Sequence, residues 1–169
     1  MPPFLRMALA ALVVLVVPMP LWAQGSGVAL SGLKQDAGLP VEIAADQLSV
    51  EQATGTATFS GKVVIAQGAL KLSADKVVVV YLAGESGTKG KIDRLLASGN
   101  VLLVTASEAA EADEAVYSVA TAQIVMTGDV VLTQGGNALS GQKLTVNLND
   151  GTAVVEGRVT TTLQTGGAP

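Results

Sequence analysis

The chain contains neither cysteine nor histidine among its 169 residues. The lack of cysteine excludes disulfides, thiol nucleophiles and thiolate metal sites in any compartment. Without histidine, a hydrolase would have to work with carboxylates alone. Aromatic residues make up only 3% of the chain and the formal net charge is −4. Because an acidic surface with few aromatic rings is poorly suited to hold phosphates or stack bases, we expect no nucleic-acid binding.

The N-terminus, positions 1–23, is typical of a secretory signal peptide. Basic Arg6 precedes an apolar run from Met7 to Val17, and the small residue Ala23 marks the predicted cleavage site. Leu21, at the third position before the cut, is larger than usual, so an uncleaved membrane anchor is the alternative. The stretch from Met7 to Ala23 lies at the lower edge of the ~17–25 residues needed to span a bilayer. Cleavage removes one cation and changes the net charge from −4 to −5.

A glycine followed by a polar residue and a valine recurs along the chain. The intervals between successive glycines are 38, 29 and 29. This regularity indicates that the chain is built from copies of one unit of about 29 residues. The four copies are Gly61-Lys62-Val63, Gly99-Asn100-Val101, Gly128-Asp129-Val130 and Gly157-Arg158-Val159.

A second series supports the same unit independently. The intervals between its members Asp46, Asp75, Asp113 and Gln142 are 29, 38 and 29. Both series contain a single interval of 38, and the nine additional positions fit the glycine-rich stretch Ala83–Lys91, which we predict to be an inserted loop. We interpret the three aspartates as turn residues that bond their own backbone, rather than as catalytic or metal-binding carboxylates.

Two-residue alternation of apolar and polar side chains predicts β-strands throughout. It is clearest at Leu144–Leu148, whereas Val77–Tyr81 is apolar on both faces and is predicted to be a central strand. Ala106–Ala115 has helical propensity, but the repeat places Asp113 within it, so we interpret it as loop and turn. Asn149–Gly151 predicts a hairpin turn. We expect several short strands per unit and no helix after the signal peptide.

The predicted domain comprises residues 41–163, between a flexible arm at 24–40 and a tail at 164–169. A unit with one apolar face is not stable alone, so the copies must stack and bury those faces together. The resulting interior is either a closed core or an open trough for acyl chains, and alternation alone leaves both possible. The residues predicted to line it are Val41, Ile43, Leu48, Val50, Phe59, Val63, Ile65, Leu70, Leu72, Val77, Val79, Tyr81, Val101, Leu103, Val130, Leu132, Leu144 and Val146.

No group of residues predicts catalysis or metal binding. The carboxylates Glu108, Glu111, Asp113 and Glu114 lack the loop spacing of a calcium site and are interpreted as a solvated surface. Lys62, Lys71 and Lys76 are interpreted as solvated lysines, although lysines near a trough mouth could meet lipid phosphates. We therefore predict that the protein is not an enzyme and needs no cofactor.

Three segments in order resemble the OstA-like (LptA–LptC) superfamily of lipopolysaccharide transport proteins. They are Val41–Asp46, Thr58–Val63 and Gln67–Val77, and the likeness extends from about Val41 to Leu163. The departures are Lys62, Asp129 and Arg158 in place of the usual asparagine after glycine, and Gly141-Gln142 in place of Ala-Asp. The resemblance implies an all-β fold, a twisted, half-open antiparallel β jelly roll known as a β-taco.

The resemblance also implies a function. A protein of this kind in the periplasm would shield the acyl chains of lipid A as lipopolysaccharide passes from the inner to the outer membrane. Its N-terminal edge would meet an LptC-like protein, its C-terminal edge an LptD-like protein, and copies would associate head to tail. Two alternatives stay open: an LptC-like component anchored in the inner membrane, and a structural β-solenoid that polymerises without a lipid ligand.

Overall fold

In the described part of the chain, all of the regular secondary structure consists of antiparallel β-strands. A computed structural model describes residues 26–29, 39–82 and 90–164, and no helix lies in these segments. The all-β prediction is confirmed. The eleven strands are β1 (Ser26–Ala29), β2 (Glu42–Ala44), β3 (Gln47–Glu51), β4 (Thr56–Gln67), β5 (Leu70–Tyr81), β6 (Ile92–Val104), β7 (Glu108–Ser118), β8 (Gln123–Gln134), β9 (Asn137–Asn147), β10 (Thr152–Glu156) and β11 (Thr160–Thr162).

All eleven strands belong to one unclosed sheet. Their order is β1-β10-β9-β8-β7-β6-β5-β4-β2, while β3 also pairs with β4 and β11 also pairs with β9. From β3 to β10 each strand pairs with the next strand in the chain, so short turns make most of the connections, whereas β1, β2 and β11 pair with the more distant β10, β4 and β9. The turn predicted at Asn149–Gly151 joins β9 to β10, and Gly151 adopts φ +70° there.

The long strands are bent near their middles, where the repeated glycines lie. Between β4 and β5 the register shifts so that Gly61 and Lys62 oppose the single residue Asp75. The same two-against-one arrangement recurs at Gly99 on β6 and at Gly128 on β8. Such a β-bulge bends a strand and increases its twist. The successive bulges therefore form a crease across the sheet.

The crease divides the sheet into two leaves that share one apolar interior. Leaf A contains β1, β3 and β10, and leaf B contains β2 and β11. Strands β4 to β9 cross both leaves. Their leaf A halves are residues 56–60, 76–81, 92–98, 114–118, 123–127 and 143–147, and their leaf B halves are 63–67, 70–74, 101–104, 108–112, 130–134 and 137–141.

An aspartate on the first strand of a unit packs against the glycine on the second strand. A Cβ placed on Gly99 would lie 2.5 Å from Asp75 Oδ2, and Asn100 Nδ2 donates to the same oxygen over 2.8 Å. Gly99 and Asn100 have φ +78° and +47°, a left-handed conformation that glycine adopts freely and asparagine tolerates. The equivalent contacts are Asp46 with Gly61, Asp113 with Gly128, and Gln142 with Gly157.

Two sequence-based expectations about strands are wrong. Strands β4 to β9 have 11 to 13 residues and run through the repeated positions. The two central units, β5–β6 and β7–β8, are therefore pairs of long bent strands rather than several short ones, and the outer units also contain the short strands β2, β3, β10 and β11. The stretch Ala106–Ala115 is strand from Glu108 onward. Pairing on both sides outweighs its helical propensity, because propensity is a weak preference that tertiary contacts override.

The predicted flexible arm at 24–40 contains a strand, since Ser26–Ala29 pairs with β10 as β1. Of the predicted inserted loop, Gly90 and Lys91 precede β6 without forming strand, and residues 83–89 lie outside the described residues. The predicted signal peptide and most of the predicted tail also lie outside them.

We predict that replacing Gly99 by alanine destabilises the protein by about 2 kcal/mol or more, because the new Cβ meets Asp75 in addition to adopting a positive φ. Gly135→Ala is the matched control, since Gly135 has φ +58° but nothing lies within 4 Å of an added Cβ. Urea unfolding of both variants measures the difference. Equal losses would show that the packing of glycine against aspartate does not constrain the crease.

Candidate functional site

The register places apolar side chains in continuous rows on the interior face of the sheet. Residues directly opposite each other in antiparallel strands share one face. One row crosses leaf A from edge to edge, and every member beyond Phe59 is at most 5% exposed. This row consists of Leu48, Phe59, Val77, Ala97, Ala115, Met126, Leu144 and Val155.

Sixteen of the eighteen predicted lining residues are buried or half-buried. The half-buried ones are Val41, Ile43, Phe59, Ile65 and Tyr81. The buried ones are Val63, Leu70, Leu72, Val77, Val79, Val101, Leu103, Val130, Leu132, Leu144 and Val146.

The other two, Leu48 and Val50, are 55% and 48% exposed. Their register partners are Phe59 and Ala57, so they lie on the interior face. Strand β3 is nevertheless an edge strand, and in the described part of the chain no strand pairs with it except β4. The apolar interior is therefore uncovered at the N-terminal edge of the sheet.

An apolar cleft separates the two leaves near the ends of their strands. It contains about 420 Å³ of space not occupied by protein atoms, part of it open to solvent. Gln67 and Tyr117 are its members with polar groups, and Gln67 Nε2 donates to the Leu39 carbonyl over 3.0 Å. The residues that line the cleft are Val41, Ile65, Gln67, Leu70 and Leu72 on one side and Leu95, Ala97, Ala115, Tyr117 and Ile124 on the other.

A second, wider opening, with about 990 Å³ of space that includes open solvent, shares Val41, Gln67 and Tyr117 with this cleft. Leu82, Ile92 and Val119 supply apolar surface, and Lys91 and Asp93 supply charge. The three lysines considered from the sequence, Lys62, Lys71 and Lys76, are all exposed, and none of them lines either opening. Lys91 is thus a cation at the mouth that sequence reasoning did not single out.

The valines that follow the repeated glycines lie at the inner side of the crease. Val63, Val101 and Val130 are at most 1% exposed, and Val159 is half-buried. In this conformation a ligand could not reach the first three. The closed core and the open trough therefore coexist, with close packing at the crease and a cleft at the strand ends.

Several cleft residues were missed from the sequence although the repeat contained a signal for them. Leu95, Ile124 and Ala153 follow one another at the repeat interval of 29, and all three are at most 3% exposed. Phe59, which was predicted, has equivalents at Ala97, Met126 and Val155. Both sets of equivalent residues could have been identified by applying the repeat interval on both sides of the inserted loop. The alternation of apolar and polar residues was instead used only within each strand.

The acidic residues of β7 have two different environments. Glu111, Asp113 and Glu114 are exposed, as predicted, but Glu108 is 4% exposed and the prediction that it is solvated is wrong. Thr105 Oγ1 donates to its carboxylate, and Gln134 Nε2 donates to it over 3.3 Å. These bonds satisfy a polar group that begins a strand beside the apolar interior.

The site offers no evident acid–base pair or metal cage. In the described segments no three carboxylates are grouped so that they could hold a metal ion. Asp75 and Asp113 lie at the crease within β5 and β7, so the prediction that they are turn residues is wrong, whereas Asp46 lies in the bend between β2 and β3. Burial raises the pKa of the Tyr117 hydroxyl above its usual value of 10.0, which moves it further from neutral pH, where a tyrosine hydroxyl is already uncharged. The arrangement can accommodate an apolar group.

The family described as "LptA/(LptD N-terminal domain) LPS transport protein" matches residues 42–152. This range includes β2 to the start of β10 and every repeated position except Gly157. The chain belongs to this LptA-like family of lipopolysaccharide transport proteins. The resemblance seen in the sequence is thereby confirmed.

Individual proteins are also similar to this chain. An uncharacterized protein of Rhizobium meliloti (strain 1021) is 31% identical over 138 residues, which are 79% of this chain and 74% of that protein. The lipopolysaccharide export system protein LptA of Escherichia coli K12 is 32% identical over 113 residues, or 65% of this chain. The match covers 60% of that LptA, so this chain accounts for less than two thirds of it.

The fold is also that of a solved relative. LptH of Pseudomonas aeruginosa, described as the LptA-homologous periplasmic component of a lipopolysaccharide transport device, superposes with a TM-score of 0.63 at 18% identity. The superposition covers 79% of this chain and 99% of LptH. It confirms the predicted LptA-type jelly roll.

We predict that Leu95→Ala, in the cleft wall, destabilises this LptA-like chain by about 2 kcal/mol or more, because it removes buried methyl groups. Leu96→Ala, on the opposite face of the same strand, should cost less than about 1 kcal/mol, since Leu96 is 36% exposed and Leu95 is 3% exposed. Thermal unfolding measures both losses. A larger loss at Leu96 would mean that the inward and outward faces of β6 are reversed.

Proposed function

We propose that this protein binds lipopolysaccharide and carries it between the inner and outer membranes, with the acyl chains of lipid A shielded in the cleft between leaves A and B. The observation that carries the proposal is an apolar interior, bounded by both leaves of an unclosed sheet, that opens at Ile65, Leu95 and Tyr117. The family match supports lipopolysaccharide as the ligand.

Acyl chains match the chemistry of this cleft. Each methylene transferred from water to an apolar surface contributes about 0.8 kcal/mol, and the lining is aliphatic apart from Gln67 and Tyr117. A lipid with several chains needs more room than the narrow cleft offers, so binding requires the leaves to separate at their free strand ends. The packed crease would act as the fixed side of that movement.

Lys91 and Asp93 are placed to interact with the polar part of such a lipid. Both line the wider opening at the end of the cleft, where a headgroup would lie if its chains entered between the leaves. A lysine ammonium can meet a phosphate while its methylene stem packs along apolar surface. The two ends of the lipid would thus contact different parts of the same opening.

The sheet edges are the proposed partner sites. An edge strand presents unpaired N–H and C=O groups to which another chain can add. In this proposal β2 and β3 receive an LptC-like protein, and copies associate head to tail. An LptD-like protein adds at β11 and, once the paired β1 has left it, at β10. The exported chain, cleaved near Ala23, would work in the periplasm without a cofactor and without catalysis.

In the described segments, no helix is both long and apolar enough to cross a membrane.

We predict that Ile65→Asp weakens lipopolysaccharide binding at least about ten-fold, because a carboxylate in the cleft disfavours an acyl chain. Val64→Asp is the matched control on the same strand, since Val64 is 39% exposed and does not line the cleft. Binding is measured by titration with purified lipopolysaccharide, and circular dichroism verifies that both variants remain folded. Equal binding by the two variants would contradict the proposed cleft.

Site-specific photo-crosslinking in growing cells tests the same proposal without altering charge. A photoreactive residue at Ile65 or Tyr117 should capture lipopolysaccharide, whereas one at Val64 or Val131 should not, because those two valines are 39% and 37% exposed and absent from the cleft lining. Failure of both cleft positions to capture lipopolysaccharide would refute the carrier function.

We predict that the double variant Leu48→Asp/Val50→Asp weakens binding of an LptC-like partner at least about ten-fold by charging the apolar end of the N-terminal edge. Its stability should change little, because both side chains are about half exposed. Leu163→Asp is the control at the opposite end, where the side chain is 63% exposed. Association is measured by titrating the partner's soluble domain. An unchanged affinity would place the partner elsewhere.

A further inference from the structure

The two ends of leaf A differ in how they are covered. At the N-terminal edge, all five residues of β3 are exposed, including the interior-facing Leu48 and Val50. At the C-terminal edge, the interior-facing residues of β10 are Ala153 and Val155, which are 1% and 0% exposed. Strand β1 pairs with β10 at this edge. The chain thus covers one end of leaf A itself and leaves the other open.

Strand β1 occupies the place where the next unit of the repeat would begin. Each unit starts with a strand of one direction and ends with a strand of the other, and β10 ends the fourth unit. Since β1 is antiparallel to β10, and the intervening pairings are all antiparallel, β1 runs in the same direction as β3. It therefore lies where the β3 of a second copy would extend the sheet.

We propose that Ser26–Ala29 is a resident edge strand that blocks addition of a second copy's β3 to β10 until it is displaced. The interaction surface is the outer edge of β10, and its competing occupants are β1 of the same chain and β3 of another. This inference extends the head-to-tail part of the proposed function. It does not depend on lipid binding.

The lengths and pairings of the strands favour exchange. The described β1 has four residues and pairs only with β10, whereas β3 has five and continues into a full sheet. An incoming copy would also place Leu48 and Val50, exposed in the free protein, beside the interior-facing residues of β10. Replacing β1 by the β3 of a second copy therefore puts a longer strand beside β10 and covers apolar surface that is otherwise exposed to solvent.

Leaf B provides a first point of contact. Strand β11 has three exposed residues, Thr160–Thr162, and in the described segments it pairs only with β9. The β2 of a second copy also has three residues and could pair with β11 while β1 is still in place. Binding would then begin in leaf B and be completed in leaf A once β1 leaves β10.

A reversible disulfide tests this inference in purified protein. Gly27 and Val154 are register partners, and opposed Cα atoms of antiparallel strands lie within the usual range for a disulfide. Because the chain has no cysteine, Gly27→Cys/Val154→Cys can form only the intended bond within one chain. The reduced form of the same variant is the matched control for the oxidised form.

We predict that oxidation lowers self-association of this variant at least about ten-fold relative to the reduced form, because an edge strand held by a covalent bond cannot be displaced. Sedimentation velocity measures association, and non-reducing electrophoresis at low concentration verifies the bond within a single chain. Equal association of the oxidised and reduced forms would overturn the proposal. A disulfide formed only between chains would also overturn it.

The double variant Gly27→Pro/Val28→Pro tests the opposite direction. Adjacent N–H groups of a strand point to opposite sides, so one of the two prolines removes a donor directed at β10. Self-association should then rise, and circular dichroism verifies the fold. Unchanged or lower association of the folded variant would contradict a blocking role. Lipopolysaccharide titration of the same variants separates this outcome from failure of the carrier function.

Discussion

The architecture depends on the contact between a side chain on one strand and a glycine on the next. Asp75 occupies the space that a Cβ of Gly99 would need, and this packing accompanies the bulge that bends both strands. Because the same contact recurs in every unit, the bends align and the two leaves enclose one interior. Gln142 takes the equivalent place beside Gly157 without a charge, so shape rather than charge is the shared requirement.

The sequence revealed the repeated positions that form this crease, although Asp75 and Asp113 lie within β5 and β7 and not in the turns predicted for them. Positive φ and close approach of a neighbouring strand each restrict a position to few residue types, and glycine spacing therefore survives as a regular signal. Lys62 and Arg158 adopt φ +48° and +46° where Asn100 adopts +47°, so the position after glycine is less restricted. Strand length was harder to predict, because the alanines of Glu108–Ser118 give little hydrophobic contrast between the two faces.

The sequence predicted which residues lie on the interior face of the sheet better than it predicted how exposed their side chains are. Alternation identifies which side of a strand a residue occupies, and sixteen of the eighteen predicted residues lie within the covered interior. Whether that side is covered depends on where strands that are distant in the sequence pack. Leu48 and Leu144 belong to the same row, yet they are 55% and 0% exposed, because only one of them lies at an open edge. The cleft at Tyr117 was unpredictable for the same reason.

A sheet made of repeated units contains nothing in the unit itself to end it. Repeat proteins solve this problem with terminal segments that differ from the repeat, and here β1 comes from outside the four units. It covers only leaf A, whereas β11 in leaf B stays exposed. A terminal segment that covered both leaves would keep the protein monomeric. Without such a segment, copies could add to one another without limit. In the proposed head-to-tail assembly, a cap on leaf A alone would make the number of associated copies depend on competition between β1 of one chain and β3 of the next.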